Sequence, residues 1–352
     1  VYAQESGDWS GAEKMLSYVK KYQAQNGANL MPSESAIKYE ILFNKAKIFS
    51  RLFPIYTISG FLLLIFIFLR MMKPALRLGG AFKLVYVVNI VAFIAHTAGL
   101  ALRGYVSGHA PWSNSYESLI YIAWALSLSG IFFSRKSAIS LALTSIMAGI
   151  TLMVAHLSDI DPQITNLQPV LKSHWLTIHV SVITASYGFL GLCMLLGIFT
   201  LVMFLFDRKN PEIARNIAEA THINEMSMIL GLCLLTVGNF LGGVWANESW
   251  GRYWGWDPKE TWALITIFIY AVVVHFRFMR KLNNQFAFAV ASMFAYFSVI
   301  MTYFGVNFYL SGMHSYASGE RIPVPGWAYA MVVSMIALAI AAYFRSGKSA
   351  RL

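Results

Sequence analysis

Histidines and a cluster of tryptophans are the residues of this sequence best suited to bind a metal or a planar ligand. Five of the ten tryptophans fall between Trp245 and Trp262. A belt of Trp and Tyr is common where helices leave a bilayer, but a belt does not require Gly251 and Gly255, which keep the backbone thin between the rings. Flat aromatic rings alternating with glycine predict a surface for a large planar apolar ligand.

Asp257 follows these rings and also begins a capping pattern. With Asp257 at the N-cap, Pro258 at N1 and Glu260 at N3, the sequence predicts the start of a helix. A capping role does not exclude contact with a ligand beside it. The residues predicted to form the ligand surface are therefore Trp250, Gly251, Trp254, Gly255, Trp256 and Asp257.

The two cysteines exclude several kinds of site. Cys193 and Cys233 each lie alone in an apolar stretch, so the chain offers neither a CxxC redox pair nor a thiolate metal cluster. Any thiol chemistry must belong to a partner.

The composition requires a membrane protein. Hydrophobic residues make up 57% of the chain and charged residues 12%, with a mean hydropathy of +0.57, and a soluble domain of this length cannot bury so much apolar surface. Each of nine apolar stretches is long enough to cross a bilayer as a helix. We predict an all-α polytopic helical bundle with spans near 53–72, 82–102, 116–133, 138–157, 176–206, 225–245, 261–280, 286–308 and 327–344.

The positive charges predict the orientation of this bundle. The net charge of +11 does not indicate nucleic acid, since most basic residues lie in alternate connections on one side. By the positive-inside rule that side is cytoplasmic, together with the C-terminus. Residues 1–50 then form a soluble segment outside, before a transmembrane domain over 51–352 whose tryptophan loop at 245–262 also faces outside. Because the chain begins at Val1, we expect a piece of a longer protein.

The same orientation sorts the eight histidines by depth. His179 lies at the outer end of the fifth span and His314 in an outer loop, whereas His275 lies close to the cytoplasmic end of the seventh. Ionisable side chains within membrane helices are costly and mark functional sites. His174 and His179 would point about 140° apart on a helix, so they should not share one metal. Weaker candidates, expected to have packing, loop or interface roles, are His96, His109, His156, His174 and His222.

The segment from Trp250 to Asp257, Trp-Gly-Arg-Tyr-Trp-Gly-Trp-Asp, resembles the WWD signature of haem-handling membrane proteins. The continuation to Leu264 and the preceding Gly243-Val-Trp-Ala-Asn-Glu248 are similar to the CcsA (ResC) branch rather than to CcmC or CcmF. Matching segments elsewhere begin at Gly108, His174 and His314, so the resemblance covers about residues 85–320.

The resemblance implies two haem sites. In the family, two outer histidines beside the WWD loop are the axial ligands of a haem iron, and the matching residues are His179 and His314. Two neutral imidazoles complete a six-coordinate iron. A histidine near the inner end of the next helix, here His275, is one ligand of a second haem, whose partner comes from a companion CcsB half.

The resemblance also implies a function. The chain is expected to convey haem b, as substrate and ligand, outward and to position it for attachment to the CxxCH motif of apocytochrome c, as part of a system II holocytochrome c synthase (cytochrome c haem lyase). Expected partners are a CcsB-like half, fused or separate, apocytochrome c, a thiol-reducing thioredoxin-like protein and membrane lipid, with no nucleic acid. The expected location is the bacterial cytoplasmic membrane with a periplasmic active site, or the thylakoid membrane in plastids.

Two other functions remain open on the sequence alone. A haem exporter would need the same two sites and a route between them but would leave attachment to another protein. A respiratory dihaem-b subunit needs histidine pairs at both depths, whereas the first, third, sixth, eighth and ninth spans carry no histidine. For the haem propionates, Arg103, Arg252 and Arg321 are weak candidates, since each is equally well explained as a loop charge.

Overall fold

A computed structural model describes residues 2–27, 31–73, 75–156, 162–164, 172–206, 210–313 and 324–346. Across these ranges the chain is helical and forms no strand, as expected for an all-α protein. It divides into two compact units, Val1–Lys47 and Ile48–Leu352.

The first unit consists of polar helices. Its helices are α1 (Tyr2–Ser6), α2 (Ser10–Asn26) and α3 (Glu34–Ala46). The described side chains of α2 are exposed and none is buried. The predicted short amphipathic helix between Ala12 and Tyr22 is the central part of α2.

The second unit contains the membrane helices. They are α4 (Ile48–Met72), α5 (Gly79–Ser107), α6 (Ser115–Ser134), α7 (Ala138–Ala155), α8 (His174–Phe204), α9 (Pro211–Trp250), α10 (Pro258–Val274), α11 (Gln285–Ile300) and α13 (Gly326–Ser346). A 3-10 turn, His275–Phe278, follows α10, and a π turn, Met301–Gly305, leads from α11 into α12 (Val306–Tyr309). In the described ranges nine helices are long and apolar enough to span a membrane, which confirms the predicted polytopic bundle.

Helix α9 is longer than predicted and shortens the tryptophan loop. Asn210 caps its first turn and Pro211 occupies N1, so the helix begins well before the apolar stretch at 225–245. It continues to Trp250, where Gly251 ends it with a left-handed backbone (φ 70°). Because α10 starts at Pro258, the irregular part of the predicted loop at 245–262 is the short segment Gly251–Asp257, called here the tryptophan loop.

Helix α8 forms the centre of the second unit. It packs against α6, α9 and α11 and is the most buried of the nine spans. Close approach depends on small residues, because an added Cβ on Gly188 would lie 2.7 Å from the Ala125 carbonyl carbon on α6. Small residues at such contacts let membrane helices pack backbone to backbone. This packing fixes the end of α8 that carries His179.

Polar side chains connect α4 to α7 inside the bundle. The side-chain oxygen of Asn89 accepts hydrogen bonds from Ser59 and Ser145 at 3.2 and 2.7 Å. His96 is fully buried and bonds the Tyr56 hydroxyl and the Ile120 carbonyl at 3.4 and 3.0 Å. Such bonds satisfy polar groups where water is absent, and His96 has the packing role expected of it.

Candidate functional site

A large cavity opens at the end of the bundle where α8 begins and α9 passes into α10. Its volume is about 980 Å³, at the upper end of the roughly 300–1,000 Å³ typical of small-molecule sites. The first turns of α8, the last turns of α9, the tryptophan loop and the connection between α5 and α6 form its walls. The cavity is thus built by the segments that carry His179 and the tryptophan motif.

His179 lies on the α8 wall of this cavity. Its Nδ1 is 2.7 Å from the carbonyl oxygen of Gly238 on α9. A carbonyl only accepts, so Nδ1 must carry the proton and the neutral ring has its lone pair on Nε2. Metal-binding histidines typically donate their second ring nitrogen in this way, which fixes the tautomer and the ring orientation. His179 therefore has the tautomer required of an axial ligand.

Helix α9 also restricts the position of the His179 ring. The ring is nearly parallel to Trp245, with an interplanar angle of 11° and centroids 6.4 Å apart. An added Cβ on Gly242 would lie 2.6 Å from Cε1 of His179. Gly242 thus makes room for the imidazole, and neither Gly242 nor Trp245 was predicted as a site residue. Gly242 and Trp245 follow Gly238 at helical spacing on α9. That spacing indicates that they face His179 only once the contact between α8 and α9 is known.

The tryptophans of the motif do not all face the cavity. Trp245, Trp250 and Trp254 line it, and the rings of Trp245 and Trp250 meet edge to face at 4.8 Å. Trp256 is 72% exposed, has a positive φ of 57° and meets Trp254 at a right angle. It lies outside the cavity lining. The aromatic surface expected from sequence is therefore formed by a different set of rings, which also includes Tyr253 of the motif and Trp112 from the connection between α5 and α6.

Local structure explains why glycine occupies both positions of the motif. Gly251 has the left-handed backbone that ends α9, a conformation that glycine adopts without a Cβ penalty. An added Cβ on Gly255 would lie 2.5 Å from the Arg252 guanidinium carbon, so Gly255 makes room for that side chain. Neither glycine lines the cavity, and a ligand is not needed to explain them.

Asp257 caps α10 as predicted, within a complete capping box. Its Oδ2 accepts from the Lys259 amide at 3.0 Å, while Glu260 Oε2 accepts from the amides of Gly255 and Asp257 at 2.8 and 3.3 Å. Asp257 Oδ1 also accepts from the Met313 amide at 2.7 Å. Asp257 thus connects the tryptophan loop to Met313, the residue before His314. His314 itself lies outside the described residues.

Lys259 places a cation in the cavity wall. Its ammonium donates to Oδ1 of Asn307 on α12 at 3.1 Å, and both residues line the cavity. Lys259 belongs to the motif, but no role for it is predicted from the sequence. The sequence feature that could have indicated a role is its position as the second residue of α10, directly after the tryptophan loop.

Arg103 is not available for a ligand, and that prediction is wrong. Its Nε forms a 2.9 Å salt bridge with Glu117, and both side chains are almost fully buried. The two remaining guanidinium nitrogens donate to the carbonyls of Pro162 and Gln163 at 3.0 and 3.2 Å. Glu117 in turn accepts from the amide and hydroxyl of Ser113, both at 2.7 Å. The pair thus positions two connections at the cavity end of the bundle.

Arg252 and Arg321 give no better support for the propionate prediction. The Arg252 guanidinium is 2.8 Å from the Met313 sulfur, and the side chain is not among the residues of the cavity lining. Arg321 lies outside the described residues.

The weaker histidines divide between the cavity and the bundle. His109 and His174 line the cavity, and His109 Nδ1 donates to the neighbouring Ala110 carbonyl at 3.0 Å, as expected of a loop residue. His156 donates from Nδ1 to Leu152 and bonds Ser50 through Nε2. His222 is exposed on α9.

His275 lies at the other end of α10, about 25 Å from Pro258 at a rise of 1.5 Å per residue. It begins the 3-10 turn, is exposed, and donates from Nδ1 to the Ala271 carbonyl at 2.6 Å. Like His179 it therefore carries its lone pair on Nε2. The described residues contain no cluster of three or more metal ligands, which a haem with two axial histidines does not require.

The chain has clear similarity to known proteins. The profile of the family "Cytochrome C assembly protein" matches residues 112–314. Protein NrfI of Wolinella succinogenes is 50% identical over 309 residues, which are 88% of this chain and 34% of that protein, so the chain spans about a third of its length. Cytochrome c biogenesis protein CcsA of Guillardia theta is 35% identical, with 68% of this chain and 87% of the relative covered. CcsA of Prochlorococcus marinus (strain MIT 9312) is 33% identical, with 74% of this chain and 94% of the relative covered.

A solved structure has a related fold. The structure titled "Cytochrome c Heme Lyase CcmF" matches with a TM-score of 0.57 at 15% identity, over 87% of this chain and 51% of that one. At this identity the likeness concerns the fold alone.

Proposed function

The chain belongs to the cytochrome c assembly protein family, a multi-pass membrane family of cytochrome c biogenesis, and on that premise we propose that its cavity holds haem b for covalent attachment to apocytochrome c. Haem is here a substrate, delivered to the site and released as part of the product. The observation that carries the proposal is His179, whose Nδ1 proton is held by Gly238 in the wall of a cavity lined by tryptophan.

In this proposal His179 and His314 are the axial ligands of the haem iron. His179 supplies Nε2 from the α8 wall. His314 follows Met313, whose amide donates to Asp257, so one carboxylate contacts both the tryptophan loop and the residue before the second proposed ligand. Asp257 is then a positioning residue. Two neutral imidazoles would complete the iron and require no other protein ligand.

Four tryptophan rings supply the apolar contact with the porphyrin, one of them Trp112 from the connection between α5 and α6. Trp245, Trp250 and Trp254 line the cavity, and rings of this size bury a large area against a planar ligand. Trp256, exposed beside Trp254, is better suited to contact the incoming apocytochrome. Gly251 and Gly255 give the loop its shape.

His275 marks an earlier haem position at the opposite end of α10. Its exposed ring carries the lone pair on Nε2. A second histidine, from a CcsB-like half that is fused or separate, would be the other axial ligand of the haem iron at this position. Haem would pass from there to the cavity. We place the His275 end at the cytoplasmic side and the cavity at the periplasmic side of the bacterial inner membrane, in accordance with the distribution of positive charge.

Attachment forms two thioether bonds. Each CxxCH thiol adds across one haem vinyl group, so that the S–H bond and the π bond of the vinyl group break while one S–C and one C–H bond form, with no net change in oxidation state. The CxxCH histidine replaces one axial imidazole. The protein contributes binding and orientation, and the thiols must arrive reduced, which requires a thioredoxin-like reductant. In these terms the chain acts as the haem-holding part of a holocytochrome c synthase.

The test is co-production of this chain and its CcsB-like half with an apocytochrome c, in cells that lack every other haem-handling maturation factor and are given an added thiol reductant. Covalent haem on the cytochrome, detected by its peroxidase activity after denaturing electrophoresis, is the expected result. A matched strain with His179→Ala should produce none. Haem that accumulates outside without becoming covalently attached would show an exporter instead and would overturn the synthase proposal.

A further inference from the structure

The cavity has a cation whose described partner is neutral. Lys259 lines it, is half buried and donates one of its three ammonium hydrogens to the amide oxygen of Asn307 at 3.1 Å. Among the described residues it forms no salt bridge. A partly desolvated cation without an ionic partner is unfavourable, so the position is explained best by an anion that enters with the ligand.

The nearby carboxylates have other hydrogen bonds. Asp257 accepts from the amides of Lys259 and Met313. Glu260 accepts from the amides of Gly255 and Asp257. Both acids hold the tryptophan loop in shape, and neither lies within salt-bridge distance of the Lys259 ammonium.

The charge of the cavity wall also favours an anionic ligand. The lysines and carboxylates among its described lining residues are Lys172 and Lys259, which are basic, and Glu260, which is acidic. Lys172 is exposed at the rim, whereas Lys259 is half buried. Arg103 is already paired with Glu117, and Arg252 lies outside the lining.

We propose that Lys259 binds a carboxylate of the cavity's ligand and so determines which edge of that ligand enters first. This inference rests on the proposed function, in which the ligand is haem and the carboxylate is a propionate. Because the propionates lie on the opposite side of the porphyrin from the vinyl groups, an ion pair with Lys259 turns the vinyl edge away from α10. Lys259 would thus contribute both to the affinity for haem and to the orientation of haem in the cavity.

The test compares haem with its dimethyl ester, in which both carboxylates are neutral. Binding of each to the purified chain with its CcsB-like half is titrated in detergent by absorbance. The variants are Lys259→Met, which removes the charge, Lys259→Arg, which keeps it, and Lys83→Met, a matched control at an exposed lysine of α5. A charge-assisted hydrogen bond predicts that the wild type prefers the acid by about tenfold to a hundredfold.

We expect Lys259→Met to lose this preference by weakening acid binding alone, while Lys259→Arg and Lys83→Met retain it. Equal binding of acid and ester by the wild type would overturn the inference. So would a Lys259→Met variant that keeps the preference or loses acid and ester equally, since the second result means a damaged cavity. If the wild type binds neither compound, the proposed haem site itself fails, and that result differs from all the others.

Discussion

The amide of Met313 donates to Oδ1 of Asp257 over 2.7 Å, so the residue before His314 is fixed to the N-cap of α10. One carboxylate thereby connects the tryptophan loop, a helix start and the segment of the proposed second iron ligand. Its two oxygens have separate roles, since Oδ2 accepts from Lys259 and Oδ1 from Met313. Substitutions that remove one role at a time can therefore separate folding from haem binding.

Asp257→Asn should weaken haem binding while α10 stays capped. Asparagine caps helices as well as aspartate does, but its amide nitrogen cannot accept from Met313, so the His314 segment loses its anchor. Asp257→Ala removes both roles and should also destabilise the protein by about 1 kcal/mol. Haem content per protein and thermal stability in detergent measure the two effects. Normal haem content in Asp257→Asn would mean that this bond does not position the second ligand.

Gly242→Ala should displace the proposed first ligand. The new Cβ would lie 2.6 Å from Cε1 and 2.8 Å from Nδ1 of His179, so the imidazole must move from its bond with Gly238. We expect haem content to fall severalfold, measured by the pyridine haemochrome assay. The matched control is Gly80→Ala in α5, where a Cβ meets nothing within 4 Å. If both variants retain full haem, the His179 ring is not held by α9 when haem binds.

Arg103→Met should destabilise the end of the bundle that contains the cavity. Removing one partner of a buried ion pair leaves the other charge uncompensated and costs about 3–5 kcal/mol. Arg215→Met removes an exposed pair with Glu212 and should cost less than about 1 kcal/mol. Thermal unfolding in detergent compares the two. Equal midpoints would contradict the structural role assigned to Arg103 and Glu117.

His275→Ala should affect haem supply rather than the cavity. Because His275 lies about 25 Å from the start of α10, its loss should leave haem added in vitro to the cavity unchanged but reduce the haem that the protein acquires in cells. The two quantities are measured on the same variant by titration and by haem content after purification. Loss of in vitro binding at the cavity would show that His275 acts on the cavity itself, contrary to the proposal.

Hydropathy predicted much of the fold because each span must be apolar along its length. It failed at the start of α9, where the cap at Asn210 and polar residues such as Glu212 and Arg215 continue the helix beyond the apolar stretch. The capping box at Asp257 was predictable because its hydrogen bonds are local. Local sequence thus determined elements and caps.

The composition of the cavity wall was less predictable. Trp245 and Gly242 face His179 only because α8 packs on α9, and Trp256 turns outward through a positive φ. Arg103 has the sequence context of a loop charge, but it is buried with Glu117, fourteen residues away. Long-range contacts decide which members of a motif face a ligand, and a single sequence does not contain them.

The central claim is that His179 ligates haem iron in the cavity, and the visible spectrum of the purified chain with its CcsB-like half tests it most directly. Spectra are recorded before and after dithionite for the wild type, His179→Ala and His174→Ala, the last as a control at another histidine of the cavity wall. We predict that the low-spin b-type signal of the wild type and of His174→Ala falls in His179→Ala to the share that the His275 site contributes, or converts in part to high spin, with partial recovery on adding imidazole. A haem-loaded wild type whose spectrum is unchanged by His179→Ala would contradict the account.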